Sequence, residues 1–293
     1  MIFSTIIKRF KLFHIASVTT AYLLGGGLVQ YVRGMRSWTA FIQGLLFFLL
    51  LTISVELLKN LSSPAGPGNW SDGLRQSTIK QVRWVIAILA ATMLTAATSL
   101  LLGWMLSEAF SQGFLVLVVL VILACVLNYF TGVSEKKLRY QIFVEVLLFL
   151  ILPPAFAFFL QSNDIHWMLS LTILPFIPVF IAYRLLTRLM SYPIDQKNDN
   201  QTFVIRIGWE KSMVFHNALM LLVYLIFALI AIFGFPWFLL WPVFLTLPIG
   251  LLEIWLMERT RRGEKPLWVA MTVATLSVYY FPMYLIGLAF WVR

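Results

Sequence analysis

The chain is written as nine apolar runs, with nothing between them long enough to fold by itself. They lie at roughly 13–32, 38–58, 83–105, 112–131, 140–161, 166–190, 213–234, 237–257 and 268–292. About twenty mostly apolar residues in a helix cross the ~30 Å hydrocarbon layer of a bilayer. A helix is the expected spanning form, because it satisfies every backbone N–H and C=O within one segment. The longest connections, near 59–82 and 191–212, are about as long as a span and leave no room for a soluble domain. The expectation is an all-α membrane protein of about nine transmembrane helices, a single polytopic domain over 1–293. Pro153-Pro154, Pro175, Pro178, Pro242 and Pro248 fall inside spans and predict kinks there.

Composition agrees with the runs. The 293 residues are 61% hydrophobic and 12% charged, with a mean hydropathy of +0.89. A soluble domain carries about 25% charged residues. Cys125 is the single cysteine and cannot form an intrachain disulfide. Lys8, Arg9 and Lys11 precede the first run, but no small-residue cleavage site follows, so that run is expected to be a span rather than a signal peptide.

A net charge of +10 raises the question of nucleic acid. The distribution of the cations answers it. Nineteen of the 22 lysines and arginines fall at the N-terminus or in and beside the second, fourth, sixth and eighth connections, leaving Arg33, Arg36 and Arg293 for the other side. Cytoplasmic loops carry such an excess. The expected topology puts the N-terminus in the cytoplasm and the C-terminus opposite, in a prokaryotic plasma membrane, with no nucleic-acid partner.

Gly25-Gly26-Gly27 suits close approach of helix backbones. Trp38, Trp167, Trp237, Trp241, Trp268 and Tyr31 suit interfacial anchoring. His14, His166 and His216 are scattered at no ligand spacing, so no metal site is read from them.

Three polar stretches interrupt the apolar chain. Glu56, Lys59, Asn60 and Ser63 fall at i, i+3, i+4 and i+7, one stripe on a helix. A carboxylate inside a span is costly and faces a cavity or a partner. The stripe therefore either ties Glu56 to Lys59 or Asn60 within the bundle, or lines a polar cavity. The Gly/Pro/Ser-rich loop from Ser62 to Ser71 and on to Asp72 is a connector or a lid. Asn128–Tyr140 gathers aromatics and cations, either as a basic loop with interfacial tyrosines or as part of a site. The third stretch, Ser191–Gly208, holds Asp195 and Asp199 four apart with Lys197 between them. By the expected topology all three meet the cytoplasmic side. Carboxylates and cations at the mouth of an apolar chamber suit a diphosphate on an isoprenoid tail, with Mg²⁺ held by oxygen ligands.

Ser191–Gly208 resembles the second aspartate-rich motif of the UbiA-type intramembrane prenyltransferases, Asp-x-x-x-Asp followed by Thr-x-x-x-Arg-x-Gly. Thr202, Arg206 and Gly208 match; Asp195 falls on the second aspartate, and Ser191 stands at the first. The stripe resembles the first motif, Asn-Asp-x-x-Asp, with Lys59, Asn60 and Ser63 at its three defined positions. Tyr129, Tyr140 and Glu145 resemble a third segment whose prolines are missing here. The resemblance implies a bundle around a central cavity that transfers a polyprenyl group from its diphosphate to an aromatic or similar lipid-precursor acceptor, as in quinone or lipid biosynthesis. It implies catalytic roles for Asp195 and Asn60, and Mg²⁺ ligation by Asp195, Asp199, Glu56, Asn60 and Ser63. It also implies substrate contacts from Lys59, Lys197, Arg139, Tyr140, Arg188 and Ser191. The implied partners are the bilayer, a prenyl diphosphate and a hydrophobic acceptor. Asn and Ser in place of Asp lower the negative charge facing a metal, and Pro193 interrupts the helix that would present the second pair. A non-catalytic relative that binds an isoprenoid or a partner is the alternative. A transporter of unrelated fold ranks last, since the unlike halves show no paired repeat.

Overall fold

The computed structural model describes residues 12–62, 76–106, 111–133, 140–197 and 202–292. Among them are nine helices long and apolar enough to cross a membrane, and no strand. In chain order these are α1 (Leu12–Val32), α2 (Trp38–Ser62), α3 (Gln76–Met105), α4 (Gln112–Val133), α5 (Gln141–Ser162), α6 (Trp167–Met190), α7 (Trp209–Ile232), α8 (Trp237–Arg261) and α9 (Trp268–Val292). The expected spans are all present. Several helices outrun their apolar stretch: α2 and α8 continue past residues 58 and 257, and α3 and α7 begin before residues 83 and 213. Helical hydrogen bonding does not stop where lipid does, so polar turns such as Lys59–Ser62 extend the rod until a cap or glycine ends it. Trp38, Trp167, Trp237 and Trp268 each open their helix, as interfacial anchors would.

The prolines act where they cannot donate. In α5 a wide π-turn, Leu147–Ile151, leads into Pro153-Pro154. In α6 the helix breaks at Leu174–Pro175, and α8 passes through a 3₁₀ stretch, Trp241–Thr246, that contains Pro242. Pro178 and Pro248 sit in first turns, where a missing N–H costs little. Pro282, inside α9, is an interior proline absent from the expected set. At Pro193 the chain leaves α6 and starts a new short helix, Tyr192–Lys197.

The chain divides into two compact units: Met1–Tyr22 with Met35–Asp164, and Leu23–Gly34 with Ile165–Arg293. In the first, α2 is central and packs on α3, α4 and α5. Phe47, Phe48, Trp104, Phe114 and Phe156 make its aromatic core. The Tyr22 hydroxyl lies over Gly44 and donates to the Phe41 carbonyl at 2.9 Å. α3 is buried least, 17% of its apolar stretch against 72% for α5, and is held through Leu57, Val82, Ile86 and Ala90.

In the second unit α6, α7, α8 and α9 pack together. Phe176, Phe180, Phe227 and Tyr279 lie at its centre. A Cβ on Gly27 would come within 2.9 Å of Trp291, so this glycine is a close-packing site. The Tyr224 hydroxyl lies over Gly250 and donates to the Thr246 carbonyl at 2.8 Å. Where the chain leaves α6, an apolar layer gathers Leu185, Leu186, Leu189, Val204, Met213, Leu256, Met257 and Met271.

Candidate functional site

Each unit carries part of the predicted constellation. In the first, Glu56 and Lys59 are one helical turn apart on α2, with Glu56 Oε1 and Lys59 Nζ at 3.5 Å. Both side chains are buried. Glu56 also faces His14 of α1, with Nδ1 at 3.1 Å from the same oxygen, and Lys59 donates to Asn128 of α4 at 2.9 Å. The His14 ring stacks on Phe149, centroids 4.1 Å apart. One turn on, the Ser62 and Tyr129 hydroxyls are 2.8 Å apart. Asn60 is partly buried, and Ser63 lies outside the described residues. The bond between Glu56 and Lys59 is therefore made, as one expectation had it, and it belongs to a larger network reaching α1 and α4.

The 4–5 connection is described from Tyr140 onward. Tyr140 is exposed at the start of α5, and Arg139 lies outside the described residues. Buried Glu145 accepts from Gln141 at 2.9 Å.

In the second unit Ser191, Asp195, Thr202 and Gly208 of the Ser191–Gly208 stretch each have a local structural role. Ser191 ends α6, and its hydroxyl donates to Asp195 Oδ2 at 2.9 Å while standing 3.2 Å from the Arg188 carbonyl oxygen. Asp195 is 5% exposed although its helix is only six residues long. Tyr192 and Trp209 pack over the apolar layer beside it. Thr202 caps the short helix Phe203–Ile207 by accepting from the Ile205 N–H at 3.4 Å. Gly208 ends that helix at φ +93°, a conformation an L side chain rarely adopts. Lys197 and Arg206 are exposed and Arg188 is partly buried. Asp199 lies outside the described residues. Ser191 is thus a hydrogen-bond donor to Asp195.

Mg²⁺ prefers oxygen ligands and is commonly held through one or two carboxylates together with water and substrate phosphate. Asp195 fits that description. Glu56 does not, since an ammonium and an imidazole already share its Oε1. No group of three or more His, Cys, Asp or Glu among the described residues is arranged to hold a metal.

Two residues that mattered less in the sequence belong to a second buried cluster. His216 of α7 and Glu253 of α8 are both fully buried, with Nε2 and Oε1 3.1 Å apart, and the Thr275 hydroxyl of α9 bonds the same carboxylate oxygen. A signal for both histidines was present. His14 and Tyr22, like His216 and Tyr224, are eight positions apart, and each tyrosine lies over a glycine of the next span. A scan of the chain against protein-family models and a search of curated proteins each find no match.

Proposed function

We propose that the protein is an intramembrane prenyltransferase of UbiA type, with its N-terminus and its second, fourth, sixth and eighth connections on the cytoplasmic side of a prokaryotic plasma membrane. Its substrates are a prenyl diphosphate and an aromatic or similar hydrophobic acceptor. The observation that carries the reading is Asp195, a buried carboxylate on the polar segment between α6 and α7, in the one stretch where Thr202, Arg206 and Gly208 also match. Asp195 would hold Mg²⁺, and the ion would supply positive charge to the diphosphate leaving group. Ser191 orients the Asp195 carboxyl through its hydrogen bond. Lys197, exposed two residues on, reaches into solvent where a diphosphate would dock and offsets its remaining charge.

The experiment is prenyl transfer to a panel of aromatic acceptors, with Mg²⁺ titrated for each variant. Asp195→Asn keeps the shape and removes one negative charge, and is expected to lower the rate by roughly 10²-fold or more, as losses of electrostatic stabilisation do. Asn60→Asp and Ser191→Asp restore charge and are expected to tighten Mg²⁺ binding. Robust activity indifferent to both Mg²⁺ and Asp195 rules this mechanism out. A second reading, a non-catalytic relative that binds an isoprenoid or a partner, is favoured by the engagement of Glu56 and Lys59 with each other and with His14 and Asn128. Activity that appears only after both restorations would support that second reading.

A further inference from the structure

His216 and Glu253 are the buried ionisable pair for which the proposed reaction has no use. Both are fully buried. No lysine or arginine among the described residues lies within ion-pair distance of Glu253, and Glu253 Oε2 and His216 Nδ1 have no hydrogen-bond partner among them. His216 Nε2 is 3.1 Å from Glu253 Oε1 but off the line of a straight hydrogen bond. Thr275 adds a constraint. Its hydroxyl reaches both Glu253 Oε1 and, at 2.9 Å, the Met271 carbonyl oxygen. A hydroxyl has one proton, so Thr275 donates to one of these two oxygens at a time. A net charge is costly in these surroundings. The cluster is neutral when carboxyl and imidazole hold a single exchangeable proton jointly, a coupled site rather than two separate ones.

The position of the pair gives that proton a mechanical outlet. Met213, Met257 and Met271 lie one turn from His216, Glu253 and Thr275 respectively. Because α7, α8 and α9 alternate in direction, all three methionines are displaced toward the end of the unit that carries the 191–208 segment. They belong to one apolar layer with Leu185, Leu186, Leu189 and Val204, and Tyr192 and Trp209 pack against it. A single layer of flexible side chains thus separates the pair from the segment that holds Asp195. The other buried ionisable groups on the surrounding helices are Arg184 of α6, Tyr224 of α7 and Tyr279 of α9. Tyr224 is engaged with Thr246.

We propose that His216, Glu253 and Thr275 form an intramembrane proton site that controls the packing of the short helices Tyr192–Lys197 and Phe203–Ile207. Gain or loss of its one proton leaves a net charge between α7, α8 and α9. The helices part to hydrate it, and the methionine layer passes the displacement to Tyr192 and Val204. The site stands on this packing alone; if Asp195 has the role proposed above, the site regulates it.

The test uses the full chain in lipid nanodiscs, with Cys125→Ser and a trifluoroethyl label on Gln196→Cys, an exposed position in the Tyr192–Lys197 helix. The ¹⁹F resonance is followed from about pH 4 to about pH 9, the range that brackets free carboxyl and imidazole groups. The expected result is a titration step that is lost in the Glu253→Gln, His216→Gln double variant and displaced in Thr275→Val. A spectrum with no step, or a step that persists unchanged in the double variant, overturns the proposal. Should the double variant fail to fold, Glu253→Gln alone carries the test, since it keeps the shape and offers Thr275 a donor. No substrate is present, so failure here is distinct from failure of the prenyl-transfer reading, which Asp195→Asn decides.

Discussion

In the first unit Glu56 faces an imidazole at 3.1 Å and an ammonium at 3.5 Å; in the second Glu253 faces an imidazole at the same 3.1 Å and a threonine hydroxyl where the ammonium would be. Around the two pairs the scaffolding is alike. A tyrosine eight residues after each histidine lies over a glycine of the following span and donates to a backbone carbonyl. The difference therefore lies in how the carboxyl is compensated. Lys59 gives Glu56 a formal counter-charge and is itself held by Asn128. Glu253 has the imidazole and the threonine hydroxyl, with no lysine or arginine beside it among the described residues. A carboxyl inside a bilayer can be housed either way, but in the second no formal cation is fixed beside it.

The comparison can be broken most directly at Lys59. Lys59→Met leaves a buried carboxylate without its cation and is expected to cost about 3–5 kcal/mol, as broken buried pairs do. Unfolding in mixed micelles would measure it, and the Glu56→Gln, Lys59→Met double variant should recover much of the loss. Next in size are the glycines under the tyrosines. A Cβ on Gly44 would run into Tyr22 Oη and come within 2.9 Å of Leu160, whereas one on Gly250 would meet Tyr224 Oη at 2.7 Å. Both alanine variants overpack, an effect of about 1–3 kcal/mol, and Gly44→Ala should be the worse. Equal losses would show that the two tyrosine contacts are not equally rigid.

Glu253→Gln should be milder still, about 1 kcal/mol, the scale of one hydrogen bond exchanged for another. A loss as large as that of Lys59→Met would erase the distinction between the two pairs. Glu264→Gln should do least. Glu264 accepts from Arg259 in the exposed 8–9 loop, and that bond holds its carboxyl below the usual carboxylate range. The stability contributed by a lowered carboxyl is present above about pH 4 and is lost as pH falls through the folded value. In an exposed pair the contribution is small, so melting curves of Glu264→Gln and the native chain should coincide at neutral pH.

What was legible in the sequence follows the range over which each signal acts. Runs of apolar residues are local, and all nine spans could be read from them. Glu56 and Lys59 share a helix turn, so their contact was within reach of spacing rules. His14 and Glu56 are 42 residues apart on different helices, and no single-helix period joins them. The contacts among His216, Glu253 and Thr275, on three helices, were hidden for the same reason, although the shared eight-residue spacing to Tyr22 and Tyr224 marked the two histidines. The burial of Asp195 was not legible either, because a charged residue on a six-residue helix carries no local sign of being covered. Helix ends were misplaced where polar residues continued a rod whose apolar part had finished, as at Gln76 and Ser62.

One feature of the first unit bears on the medium in which the protein is handled. The apolar stretch of α3, Gln81–Met105, has 25 residues, about 37 Å of helix at 1.5 Å per residue, against a hydrocarbon layer of ~30 Å. Trp84, Val85, Ile88 and Leu102 are exposed along it. Acyl chains are therefore its principal solvent, and its inclination follows membrane thickness more closely than that of helices wedged among neighbours. Lengthening the lipid tails should set α3 more upright while α5 stays as it is, which makes this helix a built-in gauge of the bilayer.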